Sequence, residues 1–186
     1  PLHPFGVNGH VFYANDTAHV AWVKYKANKT KLASYLPKPT LFYGSSSNKE
    51  GKIKYSIGND TIIKKLTPNS LVNADVLSEM NLKTLKVNFK NADSIPIYGF
   101  NFDDGIGVHV DNFSNRGNSG LPIGSFNIAT MRAFHSKLDY DLIVLHYGAN
   151  VLNYGSLNYG WYEKRMAKVV AHLKECFPYH YPLPID

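Results

Sequence analysis

The chain has 186 residues, 44% of them hydrophobic, which is enough for one large domain or two small ones. No apolar run approaches the roughly 18 residues of a membrane span, and a single cysteine, Cys176, excludes an internal disulfide. The net charge of +6 is spread through Lys24 to Lys90 among apolar residues rather than gathered in one basic helix, so no nucleic-acid partner is expected.

From about residue 10 to residue 113 the pattern is that of strands. Val11-Phe12-Tyr13 and the run from His19 to Tyr25 bring aromatic and β-branched residues together in short stretches. Lys52-Ile53-Lys54-Tyr55-Ser56-Ile57 and Leu85-Lys86-Val87-Asn88-Phe89-Lys90 alternate polar with apolar residues, which predicts one buried and one wet face. The lysines therefore read as a solvated sheet face that also guards sheet edges against mispairing. Ile95, Ile97 and Tyr98-Gly99-Phe100 suggest a further strand. Turn signals lie between these runs, at Pro37-Lys38-Pro39, Gly44 to Asn48, Gly58-Asn59-Asp60 and Asn91-Ala92-Asp93. Short strands at this spacing predict an antiparallel β-sandwich of jelly-roll type over residues 1–104. The thirteen tyrosines, Trp22 and Trp161 could stack on sugar rings, but read more simply as sandwich core and interface.

After Gly120 the period changes. Ile128, Met131, Phe134 and Leu138 share one helical face, and Tyr162, Met166, Val169, Val170 and Leu173 trace a second. Between them, Leu142 to Leu145 is a continuous apolar run of the kind found in buried strands. Helix, buried strand and helix make a fragment of α/β architecture over residues 105–186. Cys176 falls late in the second helical stripe, where a packing role is expected. The ending, Pro178 to Asp186, holds too many prolines for a helix.

Two small motifs carry the chemistry. The first is Asp111-Asn112-Phe113-Ser114-Asn115-Arg116-Gly117-Asn118-Ser119-Gly120, a strand entering a glycine-rich loop before a helix. The second is Gly148-Ala149-Asn150, at the end of the next strand. Glycine lets the backbone turn and lets a substrate approach closely. A loop N–H and an asparagine amide from two such places can converge on a developing oxyanion.

The order strand, Asn-x-Gly-x-Ser-Gly, helix, strand, Gly-x-Asn, helix resembles the second and third conserved blocks of SGNH (GDSL-like) esterases. It is similar in particular to a bacterial subgroup with a β-sandwich inserted after the nucleophile. The resemblance covers about residues 105–178. It implies a partial flavodoxin-like α/β segment, with Gly120 as backbone oxyanion donor, Asn150 as side-chain donor and Gly148 shaping the turn. The family's Gly-Asp-Ser nucleophile motif does not occur here. The only Asp-x-x-His is Asp16-Thr17-Ala18-His19, ahead of both blocks, and reads as coincidence. No nucleophile is therefore identified. Ser119 has no evident base and reads as a loop hydrogen bond or helix cap. His146 reads as a core or edge histidine. His109 and His135 show no ligand spacing with each other or with carboxylates, so no metal is expected, and no cofactor.

The resemblance implies a fragment of an ester hydrolase, acting on an acyl ester that could be a carbohydrate ester, exported, and needing further segments to complete its fold. The start at Pro1-Leu2-His3-Pro4, with no initiator Met or signal-peptide pattern, reads as processed or trimmed. The alternative is a carbohydrate-binding or assembly β-sandwich module without catalytic activity.

Overall fold

A computed structural model describes residues 9–14, 21–28, 34–113, 117–152, 155 and 158–178. The chain divides into two compact units, Phe5–Phe113 and Ser114–Asp186 with Pro1–Pro4. The break falls between Phe113 and Ser114, nine residues after the boundary expected at 104/105.

The first unit holds seven strands: β1 Trp22–Lys26, β2 Thr40–Tyr43, β3 Lys52–Ile57, β4 Asp60–Lys65, β5 Asn73–Val76, β6 Thr84–Lys90 and β7 Ile97–Asn101. They form two sheets, ordered β1-β6-β3-β4 and β5-β2-β7, and every pairing is antiparallel. The alternation at Lys52–Ile57 and Leu85–Lys90 becomes β3 and β6, which pair in the middle of the larger sheet. Their apolar faces hold Ile53, Tyr55, Leu85, Val87 and Phe89 in one cluster with Leu41 and Tyr43 of the smaller sheet. Leu41, Ile53, Leu85 and Val87 are wholly buried. At about 25 cal/mol per Å² of apolar area removed from water, this shared core is the main stabilising feature of the unit.

Three strands were not visible in the sequence: β2, β4 and β5. β2 is short and buried at Leu41, Phe42 and Tyr43, with no alternation to reveal it. β4 follows β3 directly after a two-residue turn at Gly58-Asn59, where Gly58 takes φ 60. Val11-Phe12-Tyr13 is no strand; Phe12 makes an isolated bridge with Ile97. His19 and Val20 lie outside the described residues, as does the whole of Asp16–His19. Asp111, Asn112 and Phe113, read as a strand entering the glycine loop, belong to no described strand, and Val108 and Val110 just before them are 91% and 84% exposed.

The second unit holds a short 3-10 helix, Leu121–Ser125, and two α-helices, α1 Ile128–Leu138 and α2 Gly160–Cys176. Asn127 caps α1, its side-chain oxygen accepting the Thr130 N–H at 2.9 Å. Both predicted helices are present, although Val170 of the second stripe is exposed. Met131 and Phe134 are buried on α1, and Val169, Leu173 and Cys176 on α2. Burial pushes the Cys176 thiol up, against a smaller opposing effect of Arg132, as suits a packing residue rather than a thiolate.

The run Leu142–Leu145 is not a buried strand. No ladder pairs it, and Leu142 and Val144 are 75% and 77% exposed. Ile143 and Leu145 are half-buried and line a shallow depression with Val170, Leu173 and Lys174. His146, within the same segment, is exposed rather than a core residue. No described helix is long and apolar enough to cross a membrane.

Tyr98 of β7 is 4% exposed and donates its hydroxyl proton to the Leu71 carbonyl oxygen at 3.1 Å. Burial, with a smaller effect of Tyr13, pushes its phenol up from 10.0 to about 12. Above pH 10 the unfolded chain therefore gives up this proton before the folded chain does, which favours unfolding. The stability linked to Tyr98 is full below pH 10 and is lost as pH rises through about 12. Urea denaturation at about pH 9 and about pH 11 should show a smaller alkaline loss for Tyr98→Phe than for the parent. An equal loss in both would remove Tyr98 as the cause.

Candidate oxyanion site

The glycine loop and the Gly-x-Asn turn belong to the same unit, and three of their residues meet. Asn118 is the meeting point. Its side-chain oxygen accepts the Gly120 N–H at 2.7 Å, and its main-chain carbonyl accepts a proton from Asn150 Nδ2 at 2.9 Å. Gly120 and Asn150, the two donors expected from the sequence, therefore flank one residue between them. Ser114, Asn115 and Arg116 lie outside the described residues.

Gly120 is required on two counts. Its φ of 84 lies in the left-handed region, and a Cβ there would stand 2.8 Å from Cγ of the Tyr147 ring. It forms the N-cap of the 3-10 helix, and Pro122 helps start that helix. Gly148 has φ 116 with open space around a would-be Cβ, so only backbone conformation selects glycine there. The Gly148 carbonyl accepts N–H bonds from Val151 at 2.8 Å and Leu152 at 3.2 Å. Val151, 2% exposed, anchors this turn and leaves Asn150 at the surface.

Ser119, expected to make a loop hydrogen bond or cap a helix, takes part in a loop hydrogen bond through its backbone. Its hydroxyl caps nothing; its carbonyl oxygen accepts the Tyr162 hydroxyl proton at 2.7 Å. No histidine bonds to Ser119 among the described residues. Tyr162, in the first turn of α2, ties that helix to the loop. Desolvation pushes its phenol up, and Tyr147 adds to the effect, so it serves as a neutral hydrogen-bond donor. Asn118, Tyr147 and Tyr162 complete the site and were not singled out from sequence. For Asn118 a signal existed, because an asparagine two residues before a loop glycine favours a side-chain-to-backbone turn.

His135 packs edge-on against Phe177, its Nδ1 buried without a partner. His109 has carboxylates nearby that its sequence spacing did not suggest. Its Nε2 lies 2.9 Å from Asp103 and 3.8 Å from Asp104. The three ligand atoms fall within 4.8 Å of one another, close enough to hold a cation. However, Nε2 also faces the Ile106 carbonyl at 3.1 Å. Two oxygen acceptors on one ring nitrogen require it to carry a proton. The Asp103 and Asp104 oxygens also accept the Gly105 and Ile106 N–H groups. These contacts make a self-contained hydrogen-bonded cluster within the segment Asp103–His109.

Comparisons with protein-family models, curated proteins and solved structures find no match to this chain.

Gly120→Ala should destabilise the chain by on the order of 1–3 kcal/mol, combining backbone strain with the Tyr147 contact. Tyr147→Ala in the same chain should recover the contact component and leave the strain. Gly148→Ala should show the strain component alone. Chemical denaturation measures all three. If Gly120→Ala costs no more than Gly148→Ala, the Tyr147 ring yields freely and does not constrain the loop.

Proposed function

We propose that the second unit is the oxyanion-binding half of an SGNH-type ester hydrolase site, with acylated carbohydrate as the favoured substrate class. The observation that carries this reading is the approach of the Gly120 N–H and the Asn150 amide to a single residue, Asn118. In the proposed reaction a serine attacks the acyl carbon, and the carbonyl oxygen becomes an anion as the tetrahedral intermediate forms. That oxygen takes the place now held by the Asn118 side-chain oxygen on the Gly120 N–H. An oxyanion is the stronger acceptor because its hydrogen bonds are charge-assisted. Asn150 Nδ2 turns from the Asn118 carbonyl to supply the second donor. In this proposal the attacking serine and its histidine are supplied by segments outside residues 1–186. The proposal places this chemistry outside the cell.

Two measurements test the proposal. Residues 1–186 alone should give no Ser119-dependent hydrolysis of p-nitrophenyl acetate. Turnover abolished by Ser119→Ala would make Ser119 a nucleophile and overturn the assignment. In a protein that supplies the serine and histidine, Asn150→Ala should lower kcat about 100- to 1000-fold, the usual cost of one oxyanion donor. An unchanged kcat would remove Asn150 from the site.

A second reading is a carbohydrate-binding module in the first unit. It is favoured by Trp22, which is 59% exposed on β1 instead of lying in the core.

A further inference from the structure

The outer face of the larger sheet carries an arrangement that edge protection does not explain. Register places Lys65 of β4, Lys52 of β3 and Lys90 of β6 directly opposite one another, a row of three lysines across three adjacent strands. On the same face Lys24 of β1 stands opposite Lys86 of β6. Strands lie about 4.8 Å apart, and like charges directly opposite one another destabilise a sheet. Lysines that discourage mispairing belong on edge strands, yet β3 and β6 are the two central strands. Of these five lysines only Lys65 has a carboxylate partner among the described residues, Glu50 at 3.4 Å.

Between the two groups of lysines runs a row of different chemistry. Trp22 stands opposite Asn88, which stands opposite Lys54. The Lys86 ammonium sits 4.7 Å from the Trp22 ring centroid, and the ring remains more than half exposed. A flat face with repeated point charges, one open indole and one amide complements a chain of sugar rings bearing anionic groups.

We propose that this face binds a linear acidic polysaccharide carrying carboxylates on its sugar rings. Lysine ammoniums would neutralise successive carboxylates, and Trp22 would stack on one ring. Single-stranded nucleic acid is a poorer fit, because it needs an aromatic platform for successive bases. The tyrosines and phenylalanine of these strands, Tyr25, Tyr55 and Phe89, are turned to the core cluster instead. The face also lacks the arginine forks that favour phosphate. The inference rests on the module reading and not on the ester-hydrolase reading.

The test is titration of the full chain with polygalacturonate, with dextran, oligo(dT), polyphosphate and phosphatidylserine vesicles as comparisons. Binding to polygalacturonate is expected at low salt, weakening as salt rises. The triple variant Lys52→Gln/Lys65→Gln/Lys90→Gln should lose at least about tenfold in affinity, and Trp22→Ala a further part. A charge-matched control, Lys137→Gln/Lys168→Gln/Lys174→Gln on α1 and α2, should bind as the parent does. Thermal melting of each variant separates lost binding from lost folding.

Tighter binding to oligo(dT), polyphosphate or vesicles than to polygalacturonate would overturn the proposal, as would equal loss in the two triple variants. Binding of dextran equal to that of polygalacturonate would overturn the acidic specificity while keeping a sugar-binding module. Binding to neither polysaccharide would overturn both.

Discussion

Burial of Ile53 and Tyr55 against Leu85, Val87 and Phe89 sets the register of β3 on β6, and the character of the whole first unit follows from it. Side chains in a strand alternate between faces, so a slip of one residue would bring either Lys52 and Lys54 or Lys86 and Lys90 into the core. The cost of burying unpaired ammoniums excludes that slip. The same constraint leaves the lysines no freedom on the other face. Once Ile53 meets Phe89, Lys52 must meet Lys90. The apolar core and the basic face are two consequences of one pattern.

This dependence explains which parts of the fold could be read in advance. β3 and β6 are half-buried strands whose sequence states both faces. β2 is buried throughout its last three residues and says nothing by alternation, and β5 is only four residues long. The helices α1 and α2 were legible because each keeps a polar side and an apolar stripe. The run Leu142–Leu145 misled for the opposite reason. Apolar content shows that a segment would gain from burial, but a strand exists only where another backbone offers its N–H and C=O groups. Here Ile143 and Leu145 gain cover while Leu142 and Val144 do not.

At the candidate site the split is similar. Gly120, Gly148 and Asn150 drew attention only as a pair of loop motifs, because glycine and asparagine are each common turn residues with ordinary local explanations. Tyr147 and Tyr162 were not, because their roles arise from chain folding. One ring fills the space a Cβ would take at Gly120, and the other phenol reaches across 43 positions of sequence to the Ser119 carbonyl. Composition alone read Trp22 as core and interface, and it is not in the core. Its place on the outer face follows only from its register opposite Asn88.

The loop at Gly117–Gly120 satisfies its own polar groups, and this bears on how it could recognise a ligand. The Gly120 N–H is taken by a neutral amide oxygen of Asn118, and the Asn150 amide by the Asn118 carbonyl. A neutral carbonyl oxygen arriving at Gly120 would exchange one such bond for another of equal kind and gain little. An oxygen that has acquired negative charge forms a bond roughly twice as strong and can displace the Asn118 side chain. Under the proposed reading, a loop closed on itself in this way would discriminate by charge, favouring an anionic intermediate over the neutral ester that precedes it. That difference between ground and transition state is what accelerates a reaction.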